Sequence, residues 1–153
     1  MIDQLKAVIF DVDGTLAETE RDGHRVAFNS AFLTVGLDWV WDEGLYGKLL
    51  AVAGGKERIV YYLTRFNPGF CCDGSLEQLV NQIYEVKTRS YIALLEARKI
   101  SLRSGVFRLI NDIRAAGLRM AIATASTTEN VTTLLTQTFG CESLSWFECI
   151  ATG

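Results

Sequence analysis

Seven consecutive residues, Phe10-Asp11-Val12-Asp13-Gly14-Thr15-Leu16, concentrate the chemistry of this chain. On an extended backbone, residues two apart project to the same face, so Asp11 and Asp13 are expected to converge. Two carboxylates ~4 Å apart repel by about 4 kcal/mol at an effective dielectric of about 20. A bound divalent cation removes that conflict, and a hard ion such as Mg2+ prefers oxygen ligands. Such a pair can divide the work of phosphoryl transfer. One carboxylate attacks phosphorus and becomes an acyl phosphate, while the other carries a proton to and from the leaving or attacking oxygen. Gly14 would let the backbone approach a phosphoryl group, and Thr15 adds a hydroxyl and an amide. The alternative is an ordinary Asp/Gly turn after a strand. The match of the whole stretch, directly after an apolar run, weighs against it.

Those residues need a strand to hold them. Leu5, Ala7, Val8, Ile9 and Phe10 form an apolar run interrupted only by Lys6. It reads as a strand buried on both faces, at the centre of a parallel sheet. Helical periodicity follows over 20–35, 42–52 and 56–66, then over 76–99, whose apolar stripe includes Leu79, Val80, Ile83, Tyr84, Tyr91 and Leu95. A helix from Val106 should stop at Gly117, strands are expected over 118–124 and 147–151, and a helix over 129–139 lies between them. Alternating strands and helices predict an α/β fold, a Rossmann-like parallel sheet with strands one to three present. Residues 1–18 and 102–153 would form this incomplete core, and 19–101 an inserted α-helical cap. The insertion hangs from the C-terminal end of strand one, where open α/β sheets bind ligands, so a cap there would cover the site.

Composition narrows the class. The chain has 153 residues, 49% of them apolar and 22% charged, which excludes a disordered or fibrous protein. A net charge of −3 argues against a nucleic-acid partner. No apolar run approaches the ~20 residues of a membrane span, and Met1 to Lys6 lacks a signal-peptide layout. Cys71, Cys72, Cys141 and Cys149 have no metal-ligand spacing and read as reduced thiols of a cytoplasmic protein.

The Asp11–Leu16 stretch resembles the first signature of the haloacid dehalogenase superfamily of phosphohydrolases, Asp-x-Asp-Gly-Thr-Leu. The segments 17–25 (AETERDGHR) and 54–59 (GGKERI) resemble one branch of it, the Cbby-like, xylulose-1,5-bisphosphate phosphatase-type proteins. The resemblance runs from strand one to Gly153. It implies that Asp11 is the nucleophile, Asp13 the general acid/base, and that both contact Mg2+, Asp11 through its carboxylate and Asp13 through its backbone carbonyl. Thr124 matches the second signature, a hydroxyl ending strand two. With Gly14 and the amide of Ala125 it is expected to hold the phosphate. The implied substrate is a phosphorylated sugar, xylulose 1,5-bisphosphate foremost, hydrolysed through an aspartyl-phosphate. A phosphosugar mutase and a non-catalytic truncated form are the alternatives. The full-length family form is expected to be monomeric, and a plant or algal member would lie in the plastid stroma.

Substrate-reading residues are sought in the cap. Lys87 lies on the apolar stripe of the longest helix, which costs free energy unless it snorkels or meets an anion. The resemblance gives it the second role. His24, the single histidine, either positions a substrate phosphate or hydroxyl or edges the cap core. Lys56 and Arg58, beside Gly54-Gly55 at a helix start, suit a second phosphate, or simply a solvated helix start. Glu20 is expected to hydrogen-bond a sugar hydroxyl, and Thr19 to sit at the core–cap hinge. Trp39 and Trp41 read as packing.

Two signatures of the superfamily have no match. Its lysine after strand three would follow Gly153, and there is no Asp beyond Asp112 for the acidic pair that completes the Mg2+ shell. Strand one, central in the superfamily, would keep one open edge here, which natural proteins avoid. The isolated chain is therefore expected to be poorly soluble or oligomeric.

Overall fold

Three strands, β1 (Ala7–Phe10), β2 (Arg119–Ala123) and β3 (Cys149–Ala151), form a parallel sheet in that order. The computed structural model describes residues 5–97 and 99–153. β1 pairs with β2 from Ala7–Arg119 to Phe10–Ile122, and β2 with β3 from Ala121–Cys149 to Ala123–Ala151. Parallel neighbours require crossovers. One contains α5 (Val106–Ala115), which packs against β2, and the other contains α6 (Thr128–Phe139) and a 3-10 turn over Cys141–Trp146. Thr127 caps α6, its hydroxyl accepting the Asn130 N–H. The expected α/β architecture holds, with helix and strand ends within a few residues of their expected positions, the long helix included; the 3-10 turn has no signal in the hydrophobic pattern.

β1 has the open edge expected of it, but it is not the doubly buried strand its apolar run suggested: Ile9 is 68% exposed and Leu5, just before it, 64% exposed, and only Phe10 of the strand is buried. Leu5, Ala7 and Ile9 share one face of the strand and are exposed, while Phe10 on the other face is buried, so one face is left uncovered. Among the described residues no strand pairs with its outer edge.

The chain divides into two compact units, Met1–Gly23 with Ile92–Gly153, and His24–Tyr91. Within the first, Ala17 forms an antiparallel bridge with Leu102, and the Glu18 N–H donates to the Ser101 carbonyl at 3.0 Å. The residues flanking the boundaries expected at 18/19 and 101/102 are thus paired with each other. A π-helical turn, Thr19–His24, leads out of this unit.

The second unit contains α1 (Arg25–Thr34), α2 (Glu43–Leu49), α3 (Gly55–Arg65) and all but the last turn of α4 (Leu76–Glu96). Asp42 caps α2 by accepting the Leu45 N–H at 2.7 Å. Gly55 is required by packing, because a Cβ there would fall 2.6 Å from the Tyr84 ring. Phe28, Phe32, Trp39, Trp41, Tyr46 and Tyr62 build an aromatic core, so the packing role expected of the two tryptophans is the one they have. The Asn29 side chain donates to the Trp41 carbonyl at 3.0 Å and accepts its N–H at 2.8 Å, fixing the non-helical segment against α1.

Burial, and then the charge of Asp38, push the Tyr62 phenol above its ordinary value, against a hydrogen bond with Asn67 that lowers it. A raised value favours the neutral phenol in the folded state. The resulting stability is present below the unfolded-state value of about 10 and is lost as pH rises through the folded-state value. Urea midpoints of the wild type should therefore fall more steeply above about pH 10 than those of Tyr62→Phe. Parallel curves would show that no such linkage exists.

Candidate active site

β1 ends at Phe10, and Asp11 stands exposed immediately after it. The chain then closes into a tight loop. The buried Val12 offers its carbonyl to the N–H groups of Thr15 at 3.2 Å, Leu16 at 2.9 Å and Ala17 at 3.4 Å. Gly14 adopts φ +70°, a conformation L side chains rarely take, and a Cβ there would meet nothing within 4 Å. Glycine is therefore needed for the turn, and the space before it is open. The Gly14 N–H donates to the Ala17 carbonyl at 2.9 Å and reaches the hydroxyl of the fully buried Thr19 at 3.3 Å. Thr15 Oγ1 donates to Asp11 Oδ2 at 3.4 Å.

Asp13 is half-buried and forms a bridge with Ala17. Its Oδ2 accepts a hydrogen bond from the hydroxyl of Ser126. Ser126 follows Thr124 and Ala125 in the loop that leaves β2. Thr124 Oγ1 accepts the Ser126 N–H at 3.2 Å, which leaves the threonine its own proton to donate. The two halves of the expected phosphate site, Asp11–Gly14 and Thr124–Ala125, are thereby joined through Ser126.

Arg103 is a second residue outside the sequence motifs. Its Nη1 donates to the Gly14 carbonyl at 2.7 Å and lies 3.6 Å from Glu18 Oε1. Neither Ser126 nor Arg103 carries a local signal beyond proximity in sequence to Thr124 and Gly105.

In the His24–Tyr91 unit, Lys87 is 7% exposed, so it does not snorkel. Its Nζ lies 2.9 Å from His24 Nδ1 and 5.1–5.9 Å from the ring centroids of Phe28, Tyr84 and Tyr91. A charged Lys87 would donate to Nδ1 and leave the imidazole proton on Nε2. His24 is buried and stacks on Tyr91 with centroids 4.0 Å apart. Lys56 and Arg58 are not brought together as one anion site. Residues two apart on a helix face different ways. Lys56 is exposed, whereas the buried Arg58 guanidinium donates to the Tyr46 hydroxyl at 2.8 Å and to the Val52 carbonyl at 3.3 and 3.4 Å. Glu20 is half-buried in the π-helical turn.

A family model for haloacid dehalogenase-like hydrolases matches residues 5–152. The chain belongs to that family. It is 43% identical over 146 residues to the plasmid-encoded protein CbbY of Cupriavidus necator, an alignment covering 95% of this chain and 57% of the relative. Among solved structures, CbbY from Rhodobacter sphaeroides in complex with phosphate superposes with a TM-score of 0.82 at 40% identity, covering 98% of this chain and 64% of that one. An Asp-to-Asn variant of the same protein in complex with xylulose-(1,5)bisphosphate gives 0.82 at 39% identity, with the same coverage. The chain thus spans about three fifths of these relatives.

As a haloacid dehalogenase-like hydrolase, the chain presents oxygen donors from Asp11 and Asp13, which fit a hard divalent cation in kind. No group of three or more His, Cys, Asp or Glu side chains among the described residues is arranged around one point. The four cysteines are free thiols, with Cys71, Cys141 and Cys149 exposed. Among the described residues no helix is long and apolar enough to cross a membrane.

Proposed function

We propose that the chain carries the nucleophile and phosphate-holding half of a Mg2+-dependent sugar phosphatase acting on xylulose 1,5-bisphosphate or a close analogue. The observation that carries this is the exposed Asp11 at the end of β1, beside an Asp13 fastened to the Thr124 loop. The xylulose bisphosphate seen on a 39%-identical relative supports the substrate class. Mg2+ would be held by the Asp11 carboxylate and the Asp13 carbonyl and would supply positive charge beside the phosphoryl oxygens. Asp11 attacks phosphorus as the sugar oxygen–phosphorus bond breaks, and Asp13 gives that oxygen its proton. Water then attacks the aspartyl-phosphate, losing a proton to Asp13, which releases inorganic phosphate and restores Asp11. Thr124 donates to a phosphoryl oxygen, and the open side of Gly14 accommodates the group.

Incubating the chain with xylulose 1,5-bisphosphate and Mg2+ should release one equivalent of inorganic phosphate and leave a xylulose monophosphate. A product that keeps both phosphorus atoms on sugar would favour a mutase. Release no greater than that of Asp11→Asn would favour a non-catalytic form.

A further inference from the structure

We infer that Ser126 is a positioning residue for Asp13, the proton carrier of the proposed reaction; this rests on the phosphatase reading above. Ser126 is 8% exposed, and its hydroxyl donates to Asp13 Oδ2 across 113 residues of sequence. The serine is itself held on both sides of its backbone. Its N–H donates to Thr124 Oγ1 at 3.2 Å, and its carbonyl accepts the Gly153 N–H at 3.0 Å. A rigid backbone thus presents a hydroxyl to one oxygen of a carboxylate that stands on a separate loop.

The consequence for proton transfer is geometric. A general acid must come within hydrogen-bond reach of the oxygen it serves, and small misplacements cost up to about a hundredfold in rate. A carboxylate on a short turn can rotate about its own side-chain torsions. A hydrogen bond from a hydroxyl to an ionised carboxylate is among the stronger kinds and restrains that rotation. Because the same loop carries Thr124, the restraint also keeps the proton carrier in register with the phosphate-holding hydroxyl.

The test compares wild type, Ser126→Ala, Ser126→Thr and Asp13→Asn in the 153-residue chain. A urea double-mutant cycle between Ser126→Ala and Asp13→Asn reads the bond itself and should show coupling. With xylulose 1,5-bisphosphate, Ser126→Ala should lower kcat about tenfold or more at unchanged KM, and Ser126→Thr should recover most of it. With p-nitrophenyl phosphate, whose leaving group departs without a proton, the first-turnover burst should be unaffected. A merely structural bond would slow both substrates alike, and that result, a change confined to KM, or absent coupling overturns the inference. Should Ser126→Ala not fold, Ser126→Cys, which keeps the size and weakens the donor, must show the same split between substrates. If wild type releases no more phosphate than Asp11→Asn while the coupling persists, the phosphatase reading has failed and the positioning role falls with it. If release is normal and indifferent to Ser126→Ala, the positioning role alone has failed.

Discussion

Asp11→Asn is expected to reduce phosphate release by on the order of 10^4-fold or more, leaving the fold intact. The amide is nearly isosteric with the carboxylate but has no charge with which to attack phosphorus, so the covalent route closes. Asp11 is exposed and accepts a hydrogen bond from Thr15 at 3.4 Å. Its replacement should therefore shift the urea midpoint by an amount equivalent to no more than about 0.5 kcal/mol. Intact-mass measurement after rapid quenching gives a second reading, because wild type should show an added phosphoryl group and the variant should not. An Asn variant that kept a few per cent of wild-type turnover would remove Asp11 from the nucleophile's role.

Trp41→Ala should produce the largest loss of stability, about 3–5 kcal/mol, in the His24–Tyr91 unit. The ring is fully buried, with centroids 4.7 Å from Phe28, 4.8 Å from Phe32 and 5.3 Å from Tyr62. An alanine would leave a cavity walled by rigid aromatic rings, which collapse poorly into the space. Among the described residues the buried indole N–H has no hydrogen-bond acceptor, a defect that offsets part of what the ring contributes. Trp41→Phe, which removes that donor and keeps an aromatic plate, should accordingly cost less than about 1.5 kcal/mol. Urea unfolding of the three proteins, followed by far-UV circular dichroism, measures the series. Equal losses for Ala and Phe would mean that the N–H makes a stabilising bond and that the ring volume contributes little, which would overturn this reading.

The reactive loop was legible because its chemistry is contiguous: Asp11, Asp13 and Gly14 are close in sequence, and the apolar run before them names the strand. Helix limits were legible where a capping or breaking residue sits in the text, as at Asp42 or Gly117. Ser126 and Arg103 were not, because their partners lie 113 and 89 residues away and neither belongs to a periodic pattern. The exposure of Ile9 was hidden for another reason. A strand's own residues state what they tolerate, while burial depends on what packs over each of its faces. Lys87 shows an intermediate case. Its place on an apolar stripe marked it as costly, and the choice offered was between solvent and an anion. The structure adds neighbours that the stripe could not name, an imidazole nitrogen and the faces of aromatic rings, which needed His24 and Tyr91 to be brought near it.

The pairing of Ala17 with Leu102 has a consequence for how this chain tolerates change. Residues joined in a β-bridge have Cα atoms about 5 Å apart, so everything between them begins and ends at nearly one point. For the sheet, the insertion is then a closed excursion whose entropic cost grows only as the logarithm of its length, by about 0.6 kcal/mol for each doubling. Helices could be added to the excursion, removed from it or exchanged without altering the distance that the sheet must span. The geometry separates the inheritance of the reactive loop from that of whatever reads the substrate, and lets the second vary while the first is kept.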